Sequence, residues 1–424
     1  MLLRKHRLGR GAAVIGAGVT KFGIYPEGVS ATDLFLEAFA DMRGSVDKGF
    51  NHGDIKALYL GNFSSDIFEN QVHTAASVIS RLGLAPRPAT RVEDACASSG
   101  VAFREGVIAI ASGIYDMVLV GGMEKMTGLT TSEVTGTLGL ALDPVIEAPA
   151  GLTFPGIFAA MAVAHMAKYG TTSQDLMRVT IKNHHHAALN PKAHLDLSVG
   201  EMMKKRTASL ARKGLPAPDW ADEIAFLSDP VQNPVIAWPL RLFDCSTVCD
   251  GASCVLLVAE DLAREFTDKP VYVIGTGQAS DHPLHERADM TSMGATKEAS
   301  KQAYEMAGIS PNDIDIAELH DCFTIAEIMA MEDLGFYPAG GAVRALRAGE
   351  TGRDGRLPVN TDGGLKAKGH PVGASGTGMV VELFKQMRGT AGMRQAKSHD
   401  LELGLMQNIG ANGTTAVVNI FQRR

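Results

Sequence analysis

The chain has 424 residues, of which 45% are hydrophobic and 21% charged, and its formal net charge is −7. At roughly 100–200 residues per domain, this length predicts two or three soluble globular domains. The negative charge argues against nonspecific binding to nucleic acid or anionic membranes as the main role. No apolar run approaches the ~18 residues of a spanning helix. From the charge and the apolar runs together, we expect neither a nucleic-acid nor a membrane partner.

The five cysteines form an odd, sparse set, which fits free thiols in a reducing compartment better than a disulfide framework. They are Cys96, Cys245, Cys249, Cys254 and Cys322. Three of them lie close together in the sequence but lack a C-x-x-C pair, which favours packing over metal ligation. The run His184-His185-His186 has no acidic or thiolate partner at ligand spacing. The sequence therefore predicts a cytoplasmic protein without a metal site.

The first predicted elements are a strand at residues 12–18 and a helix at residues 31–43. The strand is short and glycine-broken, so with the basic residues 1–7 before it the pattern is not typical of a signal sequence. A β-prone run at 89–93 and an apolar segment of helical character at 101–111 come next. Cys96 lies between these two segments.

Cys96 is a candidate nucleophile because of this position. The unpaired N–H groups and the dipole of a helix's first turn favour a thiolate over a thiol. However, free cysteine is also among the most often buried residue types and commonly packs as a small hydrophobe. A base or acid elsewhere in the chain that could act with Cys96 would favour the nucleophile over a packing role.

A repeat organises the chain. Val14-Ile15-Gly16 recurs as Val273-Ile274-Gly275, and Asp54-Ile55 and Leu60 recur at the same offset. We therefore predict a duplicated α/β unit, with helices on both faces of a mostly parallel sheet. The first half comprises residues 1–122 and 239–266, and the second half residues 267–424.

Residues 123–238 break the repeat and are predicted to be a long insertion. This region is rich in proline and contains a basic amphipathic stretch at 202–213. Insertions on α/β sheets tend to lie over the strand ends where ligands bind. We expect the insertion to cover a substrate site, and a contact between subunits is an equal alternative.

Two stretches of the second half carry reactive side chains. In residues 316–323, a strand leads into His320 and Cys322, which point the same way if the backbone is extended. Residues 362–378 form a glycine-rich loop that presents His370, and Pro371 favours extended backbone before it. The loop lacks the G-K-[ST] sequence of a nucleotide P-loop.

The pseudo-symmetry places Cys96 and His370 in matching strand-to-helix loops of the two halves. The two halves can therefore bring Cys96, His320, Cys322 and His370 together at one interface. A cysteine beside a histidine gives an activated thiolate for acyl transfer, and a second cysteine supplies an acid/base group.

Three blocks together resemble the thiolase family: residues 94–100 around Cys96, the His320-Asp321-Cys322-Phe323 block and residues 369–376 around His370. The resemblance covers essentially the whole chain and is closest to the sterol-carrier-protein-2-type and archaeal acetyl-CoA acetyltransferase branch. It implies an α/β, thiolase-like duplicated αβαβα layered fold, with two related domains, mixed sheets and a long insertion.

The chain departs from most thiolases at two positions. In most thiolases, the block that corresponds to His320-Asp321-Cys322-Phe323 reads Asn-Glu-Ala-Phe. Their acid/base cysteine lies in a C-terminal Cys-x-Gly motif, and this chain has Asn408-Ile409-Gly410 at that place. Here Cys322 lies beside His320 instead, as in the branch named above. The resemblance therefore assigns the acid/base role to Cys322.

The resemblance implies a ping-pong reaction, in which Cys96 is deprotonated by His370 and is acetylated by acetyl-CoA. Cys322 then deprotonates a second acetyl-CoA, and the enolate condenses with the acetyl group to give acetoacetyl-CoA. His320 and His370 would stabilise the enolate oxygen. The backbone N–H groups of Cys96 and Gly410 would form a second oxyanion hole.

For substrate contacts we expect Ser375 and Gly373. The resemblance implies CoA thioesters as substrates, no cofactor and a homodimer or homotetramer, and it leaves room for a small zinc-ribbon/OB-fold partner protein.

Three alternatives stay open at this point. The enzyme could act as a degradative 3-ketoacyl-CoA thiolase of broader chain length, since the same site runs in both directions. A decarboxylating ketoacyl synthase shares the Cys-His-His set, but it makes its carbanion without a base such as Cys322. A non-catalytic lipid- or CoA-binding subunit would have no need of all four reactive residues.

Overall fold

The computed structural model describes residues 8–216, 218–397 and 400–424, so the basic residues 1–7 lie outside the described part. The strands are β1 (Ala12–Val19), β2 (Ala57–Gly61), β3 (Ala89–Val92), β4 (Met117–Glu124), β5 (Val235–Ala237), β6 (Leu240–Arg241), β7 (Gly251–Ala259), β8 (Val271–Ser280), β9 (Ile316–Leu319), β10 (Leu403–Gly410) and β11 (Thr415–Arg423). Predicted strands at 12–18, at 89–93 and at the repeat positions are confirmed.

The helices include those predicted at 31–43 and at 101–111. They are α1 (Ala31–Gly44), α2 (Ser65–Phe68), α3 (Thr74–Arg81), α4 (Ser98–Ala111), α5 (Thr131–Gly139), α6 (Phe154–Tyr169), α7 (Ser173–Ala187), α8 (Val199–Arg212), α9 (Glu223–Ser228), α10 (Ala263–Phe266), α11 (Gly294–Ala307), α12 (Thr324–Asp333), α13 (Ala342–Arg347), α14 (Gly364–Ala367) and α15 (Ser375–Met387). None of those helices combines the length and apolar character that a membrane span requires.

The sheet order displays the duplication directly. Nine strands form one mixed sheet in the order β3-β2-β4-β7-β1-β8-β11-β10-β9. Reading outward from the β1–β8 contact, β1, β7, β4 and β2 of the first half match β8, β11, β10 and β9 of the second. A parallel bridge between Ala317 and Val359 occupies the place that β3 has in the first half. The predicted duplicated α/β fold with mixed strand directions is confirmed, whereas the domain boundaries stay a prediction.

The expectation of a mostly parallel sheet is wrong. Strands β3, β2 and β4 run parallel, as do β9 and β10. The strands β1, β7, β8 and β11 join their neighbours in antiparallel pairs. A tight turn connects β10 to β11, and such a turn cannot reverse into a parallel pair. Strands buried on both faces have similar composition in either case, so composition did not reveal the direction.

Alternate residues of each central strand pack against helices on opposite faces of the sheet. In β1, Val14 packs in a cluster with Phe103 of α4, while Ile15 packs in a cluster with Phe35 of α1. Helix α11 covers β8 and β11 in the same way as α1 covers β1 and β7. Helices α4 and α15 pack against each other between the halves. The loops that contain Cys96 and His370 lead directly into the N-terminal ends of α4 and α15.

The two inner helices approach most closely at a pair of glycines. A Cβ atom on Gly376 would overlap the backbone nitrogen of Gly100 and Oδ1 of Asn408. By contrast, a Cβ on Gly378, two residues further along α15, would meet its nearest neighbour, Cζ of Phe22, at an ordinary 3.5 Å. Gly376 is therefore required by packing, and Gly378 is not.

This difference gives a stability prediction. We expect Gly376→Ala to lower the free energy of unfolding by about 1–3 kcal/mol, because the added methyl group overpacks the helix crossing. Gly378→Ala is the matched control, which should be neutral or stabilising by up to about 1 kcal/mol through helix propensity. Denaturant unfolding of both variants measures the difference, and equal midpoints would contradict the close crossing.

Candidate active site

Cys96 lies in the short loop between β3 and α4. Its neighbour Ala95 has φ of 46°, in the left-handed region. Ser98 fixes this loop, since its hydroxyl donates to the carbonyl of Ala95 at 2.6 Å and accepts from the amide of Asp94 at 2.9 Å. The side chain of Cys96 is therefore held in one direction, and the residue is only 9% exposed.

Cys96 is a neutral thiol in the resting protein. Burial raises the pKa of its thiol to about 12, although the backbone N–H of Ala411 acts in the opposite direction. The expectation that the helix start favours the thiolate stays a prediction, since α4 begins two residues later and burial acts on this pKa in the opposite direction. The nucleophile thus needs a base close by.

His370 has the hydrogen-bonding pattern of such a base. Its Nδ1 lies 2.6 Å from Oγ of Ser375, and this hydroxyl donates its hydrogen to the carbonyl of Pro371. The hydroxyl must therefore accept from Nδ1–H, which leaves a lone pair on Nε2. Burial, helped by the cation of Lys368, lowers the pKa of His370 to about 3, so the ring is neutral.

His320 has the opposite tautomer. It follows β9 directly, and Nδ2 of Asn408 lies 2.8 Å from its Nδ1. Since Asn408 donates there, the hydrogen of the neutral imidazole is on Nε2. Burial, with a smaller effect from His370, lowers the pKa of His320 well below its usual value. Neither Nε2 atom has a hydrogen-bond partner among the described residues.

The structure brings the predicted residues together. Sγ of Cys96 and a ring nitrogen from each of His320 and His370 all lie within 4.8 Å of one another. The two rings are perpendicular, with centroids 5.0 Å apart. These three donor atoms could also surround a metal ion, so the absence of a metal stays a prediction.

Cys322 faces the same cavity as Cys96 and His370. The cavity has a volume of about 170 Å³. Its walls are largely apolar and include Met126, Leu138, Phe154, Pro155, Val248, Phe323 and Val372. Burial, with a further effect from Cys96, raises the pKa of the Cys322 thiol well above its usual value. Several wall residues lie within the predicted insertion, and its role as a cover of the substrate site stays a prediction.

Three other predicted residues have different surroundings from those expected. Gly410 ends β10, and its neighbour Ala411 lines the cavity and directs its N–H at the sulfur of Cys96. Ser375 is fully buried and holds His370. Gly373 donates its N–H to Oε2 of Glu124 at 2.9 Å. Neither Ser375 nor Gly373 is among the residues that line the cavity, and their contacts with substrate stay predictions.

Sequence reasoning missed Glu124, the last residue of β4. This buried carboxylate accepts from the amides of Phe63 and Ser64, from Nδ2 of Asn62 and from the amide of Gly373. It thereby ties the loop that carries His370 to the first half of the chain. Burial raises its pKa to about 7, against the effect of these donors. In the sequence, its position at the end of an apolar strand was the one feature that could have indicated this role.

Comparisons with known proteins give matches along almost the whole chain. The model of the thiolase N-terminal domain matches residues 12–211, and that of the thiolase C-terminal domain-like family matches residues 277–423. An acetyl-CoA acetyltransferase from Methanothermobacter thermautotrophicus is 42% identical over 98% of this chain and 100% of its own length. One from Methanocaldococcus jannaschii is 36% identical over 97% of this chain and 98% of its own.

A solved structure extends the similarity to the fold. An Ltp2-ChsH2(DUF35) aldolase superposes with a TM-score of 0.76 at 24% identity, over 97% of this chain and 98% of that chain. Because family models match both halves and an archaeal relative aligns along almost the whole length, the chain belongs to the thiolase family.

Proposed function

We propose that this thiolase is an acetyl-CoA C-acetyltransferase, which joins two acetyl-CoA molecules into acetoacetyl-CoA and also catalyses the reverse thiolysis. The observation that carries the proposal is the placement of Cys96 beside two neutral imidazoles of opposite tautomer, with the thiol of Cys322 in the same cavity. The names of the two archaeal relatives point to the same reaction.

In the first half-reaction, Nε2 of His370 takes the proton of the Cys96 thiol, and the thiolate attacks the carbonyl carbon of acetyl-CoA. When the tetrahedral adduct collapses, the bond from this carbon to the CoA sulfur breaks. Cys322 gives its proton to the departing sulfur. The products are CoA and acetyl-Cys96, with an imidazolium on His370 and a thiolate on Cys322, so charge is balanced.

In the second half-reaction, the thiolate of Cys322 removes a proton from the methyl group of a second acetyl-CoA. The enolate carbon attacks acetyl-Cys96, and the adduct expels the Cys96 sulfur. This sulfur recovers its proton from His370, which returns every group to its resting state. The raised thiol pKa values and the lowered histidine pKa values fit a cycle that starts from neutral groups.

Both half-reactions place negative charge on a thioester oxygen, which requires donors already in position. Nε2–H of His320 is one such donor, and protonated His370 is another once it has taken the Cys96 proton. The backbone N–H groups of Cys96 and Gly410 remain our assignment for the acetyl-enzyme adduct, and we add the N–H of Ala411 because it already faces the Cys96 sulfur.

The cavity favours short acyl groups. A volume of about 170 Å³ suits a short acyl group better than a long acyl chain. Among the alternatives, Cys322 argues against a decarboxylating synthase, and the complete reactive set argues against a non-catalytic subunit.

One substrate comparison tests the proposal. Purified protein given acetyl-CoA, with acetoacetyl-CoA removed as it forms, should release CoA, and acetoacetyl-CoA with free CoA should return acetyl-CoA. Faster thiolysis of long 3-ketoacyl-CoA would identify a degradative enzyme instead. Condensation that needs malonyl-CoA would identify a synthase.

We also propose that the chain forms a homodimer or homotetramer in the cytoplasm and uses no cofactor. Strand β3 ends the sheet and, among the described strands, pairs only with β2, so its other edge is available to a second copy. A zinc-ribbon/OB-fold partner stays a proposal, for which the DUF35 component named with the aldolase is the supporting observation. Light scattering during gel filtration measures the oligomeric state.

A further inference from the structure

Asn408 connects the two halves at the centre of the site. It lies in β10, is fully buried, and uses both hydrogens of one amide group. Its Nδ2 lies 3.1 Å from the carbonyl oxygen of Cys96 and 2.8 Å from Nδ1 of His320. One side chain therefore contacts both the backbone of the nucleophile and the imidazole of His320.

The orientation of this amide is fixed by its surroundings. The carbonyl of Cys96 can only accept a hydrogen bond, so it requires the NH₂ end of Asn408 and would repel Oδ1. On the other side, Oδ1 has no hydrogen-bond partner among the described residues and lies against Gly100 and Gly376. A Cβ atom on either glycine would overlap Oδ1. The absence of a side chain on both glycines thus provides the space that Oδ1 occupies where α4 and α15 cross.

This orientation determines the tautomer of His320. Because the NH₂ group donates to Nδ1, that nitrogen keeps its lone pair and the ring hydrogen is on Nε2. In the opposite tautomer, Nε2 would present a lone pair to the developing oxyanion and repel it. A neutral imidazole in water interchanges the two forms freely, and a fixed donor at Nδ1 shifts this equilibrium toward the Nε2–H form.

We propose that Asn408 is a positioning residue that holds His320 as the Nε2–H tautomer and so makes it an oxyanion donor. The inference rests on the proposed function, because the oxyanion is that of the thioester. The amide also joins this donor to the backbone of Cys96, so the nucleophile and the donor keep one relative position. The role is exerted through His320 and not on the substrate.

The tautomer can be observed without any variant of Asn408. In the full-length protein labelled with ¹⁵N-histidine, we expect the His320 signals to show a protonated Nε2 and an unprotonated Nδ1. The loss of these signals in His320→Gln assigns them. An unprotonated Nε2 would overturn the proposal, and this result does not depend on whether Asn408 variants fold.

Kinetics of a double-mutant cycle give the second test. Asn408→Ala should lower kcat about 10²-fold, the usual cost of an oxyanion donor, with little change in KM. In the His320→Ala background the same change should cost less than about threefold, because the group it positions is gone. Asn419→Ala is the matched control, since Asn419 is a buried β11 amide without a hydrogen-bond partner among the described residues. It should leave kcat unchanged.

The outcomes separate the two claims. If the unaltered protein releases no CoA from acetyl-CoA and forms no acetyl-enzyme, the proposed function fails. If it is active but the Asn408 and His320 effects multiply independently, the positioning role fails and the proposed function stands. Equal losses in Asn408→Ala and Asn419→Ala would also overturn the positioning role, because they would indicate a general effect of removing buried amides.

Discussion

Replacing Cys322 by alanine is expected to abolish carbon–carbon bond formation while acetylation of Cys96 continues. The variant lacks the thiolate that takes the methyl proton, and removal of such a base typically costs about 10²–10⁴-fold. The CoA thiolate can leave without a proton donor, because a thiolate is a stable anion. Condensation and acetylation should therefore respond very differently to the same change.

Two assays separate these steps. Exchange of deuterium from heavy water into the methyl group of acetyl-CoA should disappear in Cys322→Ala, and a single release of CoA with a mass increase of one acetyl group should remain. If deuterium exchange persists at the original rate, another group is the base. If acetylation is lost as well, the proton that Cys322 gives to the departing CoA sulfur is indispensable, or the side chain is needed for the shape of the cavity.

Replacing Cys96 by serine should eliminate both half-reactions. His370 is neutral and holds its base lone pair on Nε2, but a hydroxyl is a weaker acid than the thiol, so His370 forms the oxygen nucleophile much less readily. We expect turnover to fall by at least about 10³-fold, which corresponds to about 4 kcal/mol of transition-state stabilisation. Steady-state thiolysis of acetoacetyl-CoA measures the loss.

A second cysteine provides the matched control for this substitution. Cys254 is also buried, but it lies in the middle of β7, where it pairs with Gly18 and Gly121. Cys254→Ala removes one thiol of the same protein without touching the cavity, so turnover should be unchanged. Activity of Cys96→Ser within tenfold of the unaltered protein would mean that the sulfur of Cys96 is not the nucleophile.

The repeat made the architecture predictable from the sequence. Matching residues at one constant offset placed Val14 and Val273 on equivalent strands, and the structure has these strands side by side as β1 and β8. The same symmetry placed Cys96 and His370 in equivalent loops. The direction of β7 and β11 was not predictable, because apolar strands that are covered on both faces have similar composition in either direction.

The chemical state of the site could not be read from the sequence. The position of Cys96 before a helix suggested a thiolate, but the burial that raises its pKa depends on packing by the whole molecule. The tautomers of His320 and His370 depend on partners that the sequence did not identify. Asn408 is far from both Cys96 and His320 along the chain, and only the folded structure joins the three.

Mass spectrometry of the acetylated enzyme tests the central claim most directly. The unaltered protein, mixed with acetyl-CoA and quenched in acid at early times, should release a first burst of one CoA per active chain. The peptide that contains Cys96 should carry a single acetyl group, which free CoA removes. Failure to find any acetyl group, or its appearance on Cys245 or Cys322 in place of Cys96, would contradict the convergence of the two halves on one nucleophile.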